Sequence, residues 1–257
     1  MPTYSVTMSS MAGSGMLAVD GVTKRFGGLV AVNNVEMAIR EGEIVGLVGP
    51  NGAGKTTLLN LISGIYRPDE GSIRYRGEDI TRLSLNQVCR KGIAKTFQQA
   101  APFPDLTARE AVMMGAIFGN HHRTTMADAR DEAGACLEAV GFPAGKVDRP
   151  MTGLNVMELR RTQLARALAS RPKVLLLDEL MTGLTPREGN EAVGLIRRLR
   201  DDGMTIVMIE HVMRVILGVS DRIVVLDHGE KIADGASDEV IRDPRVIDSY
   251  LGERFAK

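Results

Sequence analysis

The chain has 257 residues, 44% of them hydrophobic, which is enough to bury a sizeable core and too apolar for disorder throughout. Its 32 Lys and Arg balance 32 Asp and Glu, so no bulk positive field is available to hold a phosphate backbone, and nucleic acid is not an expected partner. Two cysteines, Cys89 and Cys136, stand far apart without CxxC or metal spacing; they imply neither zinc nor haem and read as packed thiols in a reducing compartment.

Residues 1–15 are small, polar and free of Lys or Arg, so they lack the parts of a secretory signal and read as a flexible leader to a cytoplasmic protein. From Leu17 onward, short β-rich runs alternate with turn signals: Leu17 to Phe26, Gly27 Gly28, Val35 to Ile39, Glu41 Gly42, then Ile44 to Val48. This pattern predicts a β-layer leading into a strand that is apolar on both faces, followed by a glycine-rich loop and a helix over Lys55 to Ile62. A strand at Ser72 to Arg76 and a helix near Leu85 to Arg90 precede Thr96, Phe97 and Gln98. From Ala108 to Ala169 apolar side chains recur at spacings of three and four, and residues 98–169 are expected to form a helical subdomain inserted into an α/β core of residues 16–97 and 170–236. Alternation resumes with a strand at Val174 to Leu177, a helix over Pro186 to Arg200, strands at Thr205 to Ile209 and Ile223 to Leu226, and a helical, amphipathic tail from Ser237. The longest apolar runs are strand-sized and far short of the ~20 residues that span a bilayer.

Three groups of residues carry chemistry. The run Gly49, Pro50, Asn51, Gly52, Ala53, Gly54, Lys55, Thr56 fits GxxxxGK[ST] completely and lies between a buried strand and a helix that continues with Thr57. Small residues let backbone N–H groups close around phosphates while the helix N-terminus, worth roughly half a positive charge, faces them. Lys55 is then expected to neutralise β- and γ-phosphate oxygens, and the Thr56 hydroxyl to hold Mg²⁺. A chance glycine turn is the alternative, and the complete match in its required context weighs against it. Val174 to Leu177 delivers Asp178 and Glu179 to a strand end, where ligands bind in open α/β sheets; Asp178 is expected to fix Mg²⁺ and Glu179 to polarise the attacking water. His211 follows another apolar strand and is brought toward the same edge, although one histidine at a strand end is usually structural.

With these landmarks in order, the chain resembles the ATP-binding subunits of ABC transporters from Leu17 to its end. The resemblance implies a P-loop NTPase core of RecA type with an N-terminal antiparallel β-subdomain and an inserted α-helical subdomain. It also implies an ATPase that uses ATP and Mg²⁺, pairs head to tail with a second ATP-binding subunit, and docks on separate integral-membrane permease chains at the inner face of the cell membrane. Residue by residue, it implies that Phe26 in TKRFGG stacks on adenine, that Gln98 in TFQ senses both Mg²⁺ and the membrane partner, and that His211 in MIEH contacts the γ-phosphate. RFGGLVAVNNV, FPDLTAREAV, IEHVM and the terminal YLGE resemble, more narrowly, importers of branched-chain amino acids. Subunits energising urea or amide uptake, or lipopolysaccharide extraction, share much of that pattern.

The chain departs from the family in three places. The signature usually written LSGGQ reads Leu154 Asn155 Val156 Met157 Glu158. Asn155 can replace the serine as helix N-cap, with Glu158 completing something close to a capping box, while the glycine is lost and an acid is gained that repels phosphate unless it points back at the cap. Leu180 stands where proline often follows the glutamate, and Thr185 where an Asp or Asn is usual. These departures keep open a nucleotide-binding regulator that no longer turns over. An ABC ATPase acting on nucleic acid or ribosomes is a further alternative, against which stand the single P-loop and the lack of basic surfaces.

Overall fold

A computed structural model describes residues 15–96, 103, 105–119, 124–181, 185–210 and 213–255, and every statement below concerns those residues. In chain order, β1 (Leu17–Phe26) turns at Gly27 and Gly28 into β2 (Leu29–Ile39), and β3 (Ile44–Val48) runs through the P-loop into α1 (Lys55–Ile62). There follow β4 (Glu70–Tyr75), β5 (Glu78–Asp79), α2 (Leu85–Arg90) and β6 (Ile93–Lys95). Three helices come next, α3 (Ala108–Gly119), α4 (Met126–Ala139) and α5 (Val156–Ala169), with short 3₁₀ turns at Ala144–Lys146 and Met151–Gly153. The chain then alternates β7 (Val174–Asp178), α6 (Pro186–Asp201), β8 (Thr205–Ile209), α7 (Met213–Val219), β9 (Arg222–Asp227) and β10 (Glu230–Gly235), and ends in α8 (Ser237–Val240) and α9 (Pro244–Phe255).

Two sheets form the α/β body. One is antiparallel, ordered β2-β1-β4-β5; the other is ordered β10-β9-β3-β8-β7-β6 and is parallel except for the antiparallel edge pair β9 and β10. Every residue of β3, β7 and β8 is buried, which explains why these strands read as continuous apolar runs rather than alternating ones. Odd and even positions serve different cores. Leu175 and Leu177 of β7 pack with α3, α4, α5 and Ile196 of α6, while Val174 and Leu176 pack with Leu58 and Leu59 of α1 and with the antiparallel sheet. The parallel register places Leu47 beside Ile209 and Ile209 beside Asp178, so the C-terminal ends of β3, β8 and β7 finish on one level.

The structure adds β5 and α7, which the sequence pattern did not mark, and differs further at β2, β10 and the tail. β2 begins at Leu29 rather than Val35, because pairing of Phe26 with Leu29 and Arg25 with Val30 carries the hairpin through the polar residues before Val35. β10 was hidden by its polar sequence EKIADG and exists as an edge strand paired to β9. The tail is two helices, not one: Asp243 accepts the Arg245 amide at 2.9 Å just ahead of Pro244, which cannot continue the preceding helix. The expected leader falls almost wholly outside the described residues, and no described helix is long and apolar enough to cross a membrane. Both cysteines are free thiols, and burial, followed by the nearby Glu132 charge, pushes Cys136 up to about 12.

Candidate active site

The P-loop takes its shape from its packing. Gly49 lies at φ 146°, and a Cβ there would come 2.0 Å from the Leu226 carbonyl oxygen; Gly54, at φ 95°, would place one 2.3 Å from the Ala31 carbonyl oxygen. Only glycine lets the loop pass this close to β9 and β2. α1 begins directly after Gly54 with no side-chain cap and no acid in its first turn, whereas α4, α5 and α6 carry capping boxes. No capping side chain or acid competes with an anion at this helix start, and the helix dipole favours one. Lys55 is buried at 7% exposure, and its Nζ donates to the carbonyls of Gly49 at 2.7 Å and Pro50 at 2.6 Å, which holds the cation inside the loop. Asn51 and Gly52 are exposed, Pro50 and Ala53 are buried, and Thr56 and Thr57 are half-buried.

Asp178 ends β7 at the level where β3 enters the loop. Its Oδ1 lies 3.5 Å from the Thr56 hydroxyl, long for a direct hydrogen bond, and its Oδ2 pairs with Lys95 Nζ at 3.1 Å. A hydroxyl and a carboxylate converging at this distance are hard oxygen donors of the type Mg²⁺ takes, with phosphate and water supplying the rest. No described cluster of three or more His, Cys, Asp or Glu side chains could hold a metal ion. Glu179, the residue after β7, is half-buried and has φ 52°, a left-handed conformation unusual outside glycine. Its amide donates to Ile209 at 3.0 Å, and its carbonyl accepts from Arg160 Nη1 at 2.5 Å.

Phe26 is 42% exposed at the end of β1, with Tyr66 edge-on at 5.2 Å and Lys24 Nζ 5.5 Å from its ring centre. The hairpin it heads reaches the P-loop through Ala31 and Val32, which flank Gly54. Gln98 and His211 lie outside the described residues.

The altered signature is a complete helix start. Asn155 Oδ1 accepts the Glu158 amide at 2.9 Å, and Glu158 Oε2 accepts the Asn155 amide at 3.0 Å. Lys146 donates to Glu158 Oε1 at 2.5 Å, so the acid points back at the cap and is neutralised there. Burial raises the Glu158 carboxyl, but hydrogen bonds from Lys146 and the Asn155 amide outweigh it and hold the group below its usual range. Val156, in the place of the usual glycine, is 60% exposed. Thr185 caps α6 through a capping box with Glu188, a role an Asp or Asn would also fill, and Leu180 is buried in the core shared by α5 and α6.

Sequence reasoning missed Lys95, Arg160 and Glu210. Lys95 had a signal, a cation closing the apolar run of a strand that must find a buried partner; its side chain is 4% exposed, and it also donates to Asn60 of α1 at 2.6 Å. Lys95→Met should lower unfolding stability in urea by about 3 kcal/mol, since it leaves the buried Asp178 charge without that counterion. A loss below about 1 kcal/mol would mean the pair is not needed.

Comparison with known proteins agrees with this geometry. The family model described as ABC transporter matches residues 32–182, and that of the branched-chain amino acid ATP-binding cassette transporter matches residues 230–256. The high-affinity branched-chain amino acid transport ATP-binding protein LivG of Salmonella typhimurium is 39% identical over 93% of this chain and 98% of its own. BraF of Pseudomonas aeruginosa, which bears the same description, is 37% identical over the same shares. Among solved structures, the ADP conformation of an ATP-binding cassette of an ABC transporter superposes with a TM-score of 0.84 at 27% identity, covering 93% of this chain and 100% of that one. A dimeric post-hydrolysis cassette bound to ADP and Pi gives a TM-score of 0.80 at 29% identity, covering 86% and 99%. Matched along nearly all of its length by such relatives, the chain belongs to the ABC transporter family, as one of its ATP-binding cassettes.

Proposed function

We propose that this cassette hydrolyses ATP to drive import of branched-chain or related amino acids through separate permease chains in the membrane. The observation that supports the reading is the approach of Thr56 to Asp178 at the edge of the parallel sheet where β3, β8 and β7 end on one level. Phosphates would lie on the loop from Gly49 to Thr57, where Lys55 and the uncapped α1 start supply positive charge, with adenine against Phe26. Thr56, Asp178 and Gln98 would hold Mg²⁺, which would supply positive charge to offset that of the phosphates when bound.

Glu179 orients a water whose oxygen attacks the γ-phosphorus; the bond to the ADP oxygen breaks, and the carboxylate holds the proton the water gives up. His211, by its match to the family's MIEH segment, would contact the γ-phosphate. The face opposite the P-loop is completed by a second cassette, placed head to tail, whose α5 start offers its N-terminal dipole and the Asn155 side-chain amide. The neutralised state of Glu158 supports this, because an unpaired acid there would repel phosphate. Transport of amino acids is supported by the resemblance of the C-terminal residues 230–256 and by the named activity of the relatives.

Light scattering of the Glu179→Gln variant tests the sandwich. Mg-ATP should convert monomer into dimer. A chain that binds ATP yet stays monomeric at all concentrations would exclude a self-contained head-to-tail pair.

A further inference from the structure

The element that would sense the opposing cassette and the carboxylate that would act on water are joined by one side chain. α5 opens at the Asn155 cap, and little more than one turn later Arg160 turns inward and donates from Nη1 to the Glu179 carbonyl at 2.5 Å. The peptide it grips is strained: Glu179 at φ 52° occupies a region that a side-chain-bearing residue keeps only when its surroundings hold it.

Those surroundings are two-sided. From β8, the Ile209 carbonyl accepts the Glu179 amide at 3.0 Å, and Glu210 Oε1 accepts the Met181 amide at 2.7 Å. From the helical side comes Arg160. A cavity of about 310 Å³ opens beside this joint, bordered by Arg160 and Leu164 of α5, Leu180, and Leu195 of α6. The cavity leaves room beside the guanidinium, next to the buried core that Leu164, Leu180 and Leu195 share. The Arg160 Nε atom is buried without a hydrogen-bond partner among the described residues, an unfavourable placement that the bond to Glu179 offsets.

We propose that Arg160 is a positioning residue for Glu179: it ties the backbone of the water-activating carboxylate to α5, so that the pose of α5 sets where the carboxylate points. The inference rests on the reading of Glu179 given above. A subunit docking on the α5 start moves a rigid helix, and the Arg160 bond carries that movement to the turn after β7 rather than to the P-loop. Turnover should respond to its loss, and ATP affinity should not.

The test is steady-state phosphate release by the full-length chain carrying Arg160→Met, Arg160→Lys, Glu179→Gln, or Arg160→Met with Glu179→Gln. Arg160→Met should lower kcat about ten- to a hundredfold with KM for ATP within about twofold and a thermal midpoint close to that of the parent. Arg160→Lys should recover most of the loss, because the bond to the carbonyl is single and an ammonium can donate it. The double variant should be no slower than Glu179→Gln alone. Unchanged kcat in Arg160→Met, a matched collapse of folding without recovery by lysine, or full additivity would each overturn the proposal. If Arg160→Met does not fold, Arg160→Gln, which keeps a polar head on a shorter stem, takes its place. A Glu179→Gln variant that keeps normal turnover would remove the reading of Glu179 and this inference with it, whereas a crippled Glu179→Gln beside an unimpaired Arg160→Met removes this inference alone.

Discussion

Glu179→Gln should lower ATP turnover by about 10²–10⁴ and leave Mg-ATP binding within a few-fold of the parent, the range expected if Glu179 is the positioned general base proposed above. Glutamine has nearly the shape of glutamate, and the contacts that hold the turn are made by the backbone: the amide to Ile209 and the carbonyl to Arg160. The substitution therefore leaves the φ 52° turn in place and removes only the ability to take a proton from water. Asp178 does not substitute for it, since its carboxylate is 1% exposed and engaged with Lys95 and the Thr56 hydroxyl. Single-turnover phosphate release with pre-bound Mg-ATP is the direct measurement, because it separates the chemical step from binding and product release. Turnover within threefold of the parent would take Glu179 out of the chemistry.

Lys55→Ala should weaken ATP binding by about a hundredfold or more. Each charge-assisted hydrogen bond from an ammonium to a phosphate oxygen is worth about 1.5–3 kcal/mol, and two such bonds exceed the roughly 2.7 kcal/mol that a hundredfold in Kd represents. The effect on folding is smaller. Alanine leaves the Gly49 and Pro50 carbonyls without the donor they have at 2.7 and 2.6 Å, costing about 1–3 kcal/mol of stability, well below the roughly 5–15 kcal/mol that holds a domain together. Calorimetric titration with Mg-ATP, beside a thermal melt, distinguishes the two contributions. A variant that melts near the parent and still binds ATP within threefold would show that the loop backbone and the α1 dipole hold the phosphates without the lysine.

Both expectations concern residues legible in the sequence. The boundaries of β3, α1 and β8 follow from strands apolar on both faces and from a glycine run before a helix, signals that lie within a few residues of one another. Asp178 and Glu179 were legible for the same reason. The Asn155 and Glu158 pair was readable as a capping box, which is local, but whether the acid stayed charged toward a ligand or was neutralised was not. That was decided by Lys146, brought from the preceding 3₁₀ turn.

The sequence by itself determined the glycine-rich loop between β3 and α1, the burial of the parallel strands and the starts of α1, α5 and α6, because each depends on side-chain pattern over one loop, strand or turn of helix. Only the tertiary structure decided that Lys95 meets Asp178 through the pairing of β6 with β7, that Glu210 holds Met181, and that Arg160 grips Glu179 across the edge of a cavity. On its helix Arg160 looks the same as its neighbour Arg161, which instead pairs with Glu191 and the Gly141 carbonyl. Nothing in the local pattern separates the two arginines. Their partners are set by strand order and by how α5 lies on the sheet, which depend on packing between segments far apart in the chain.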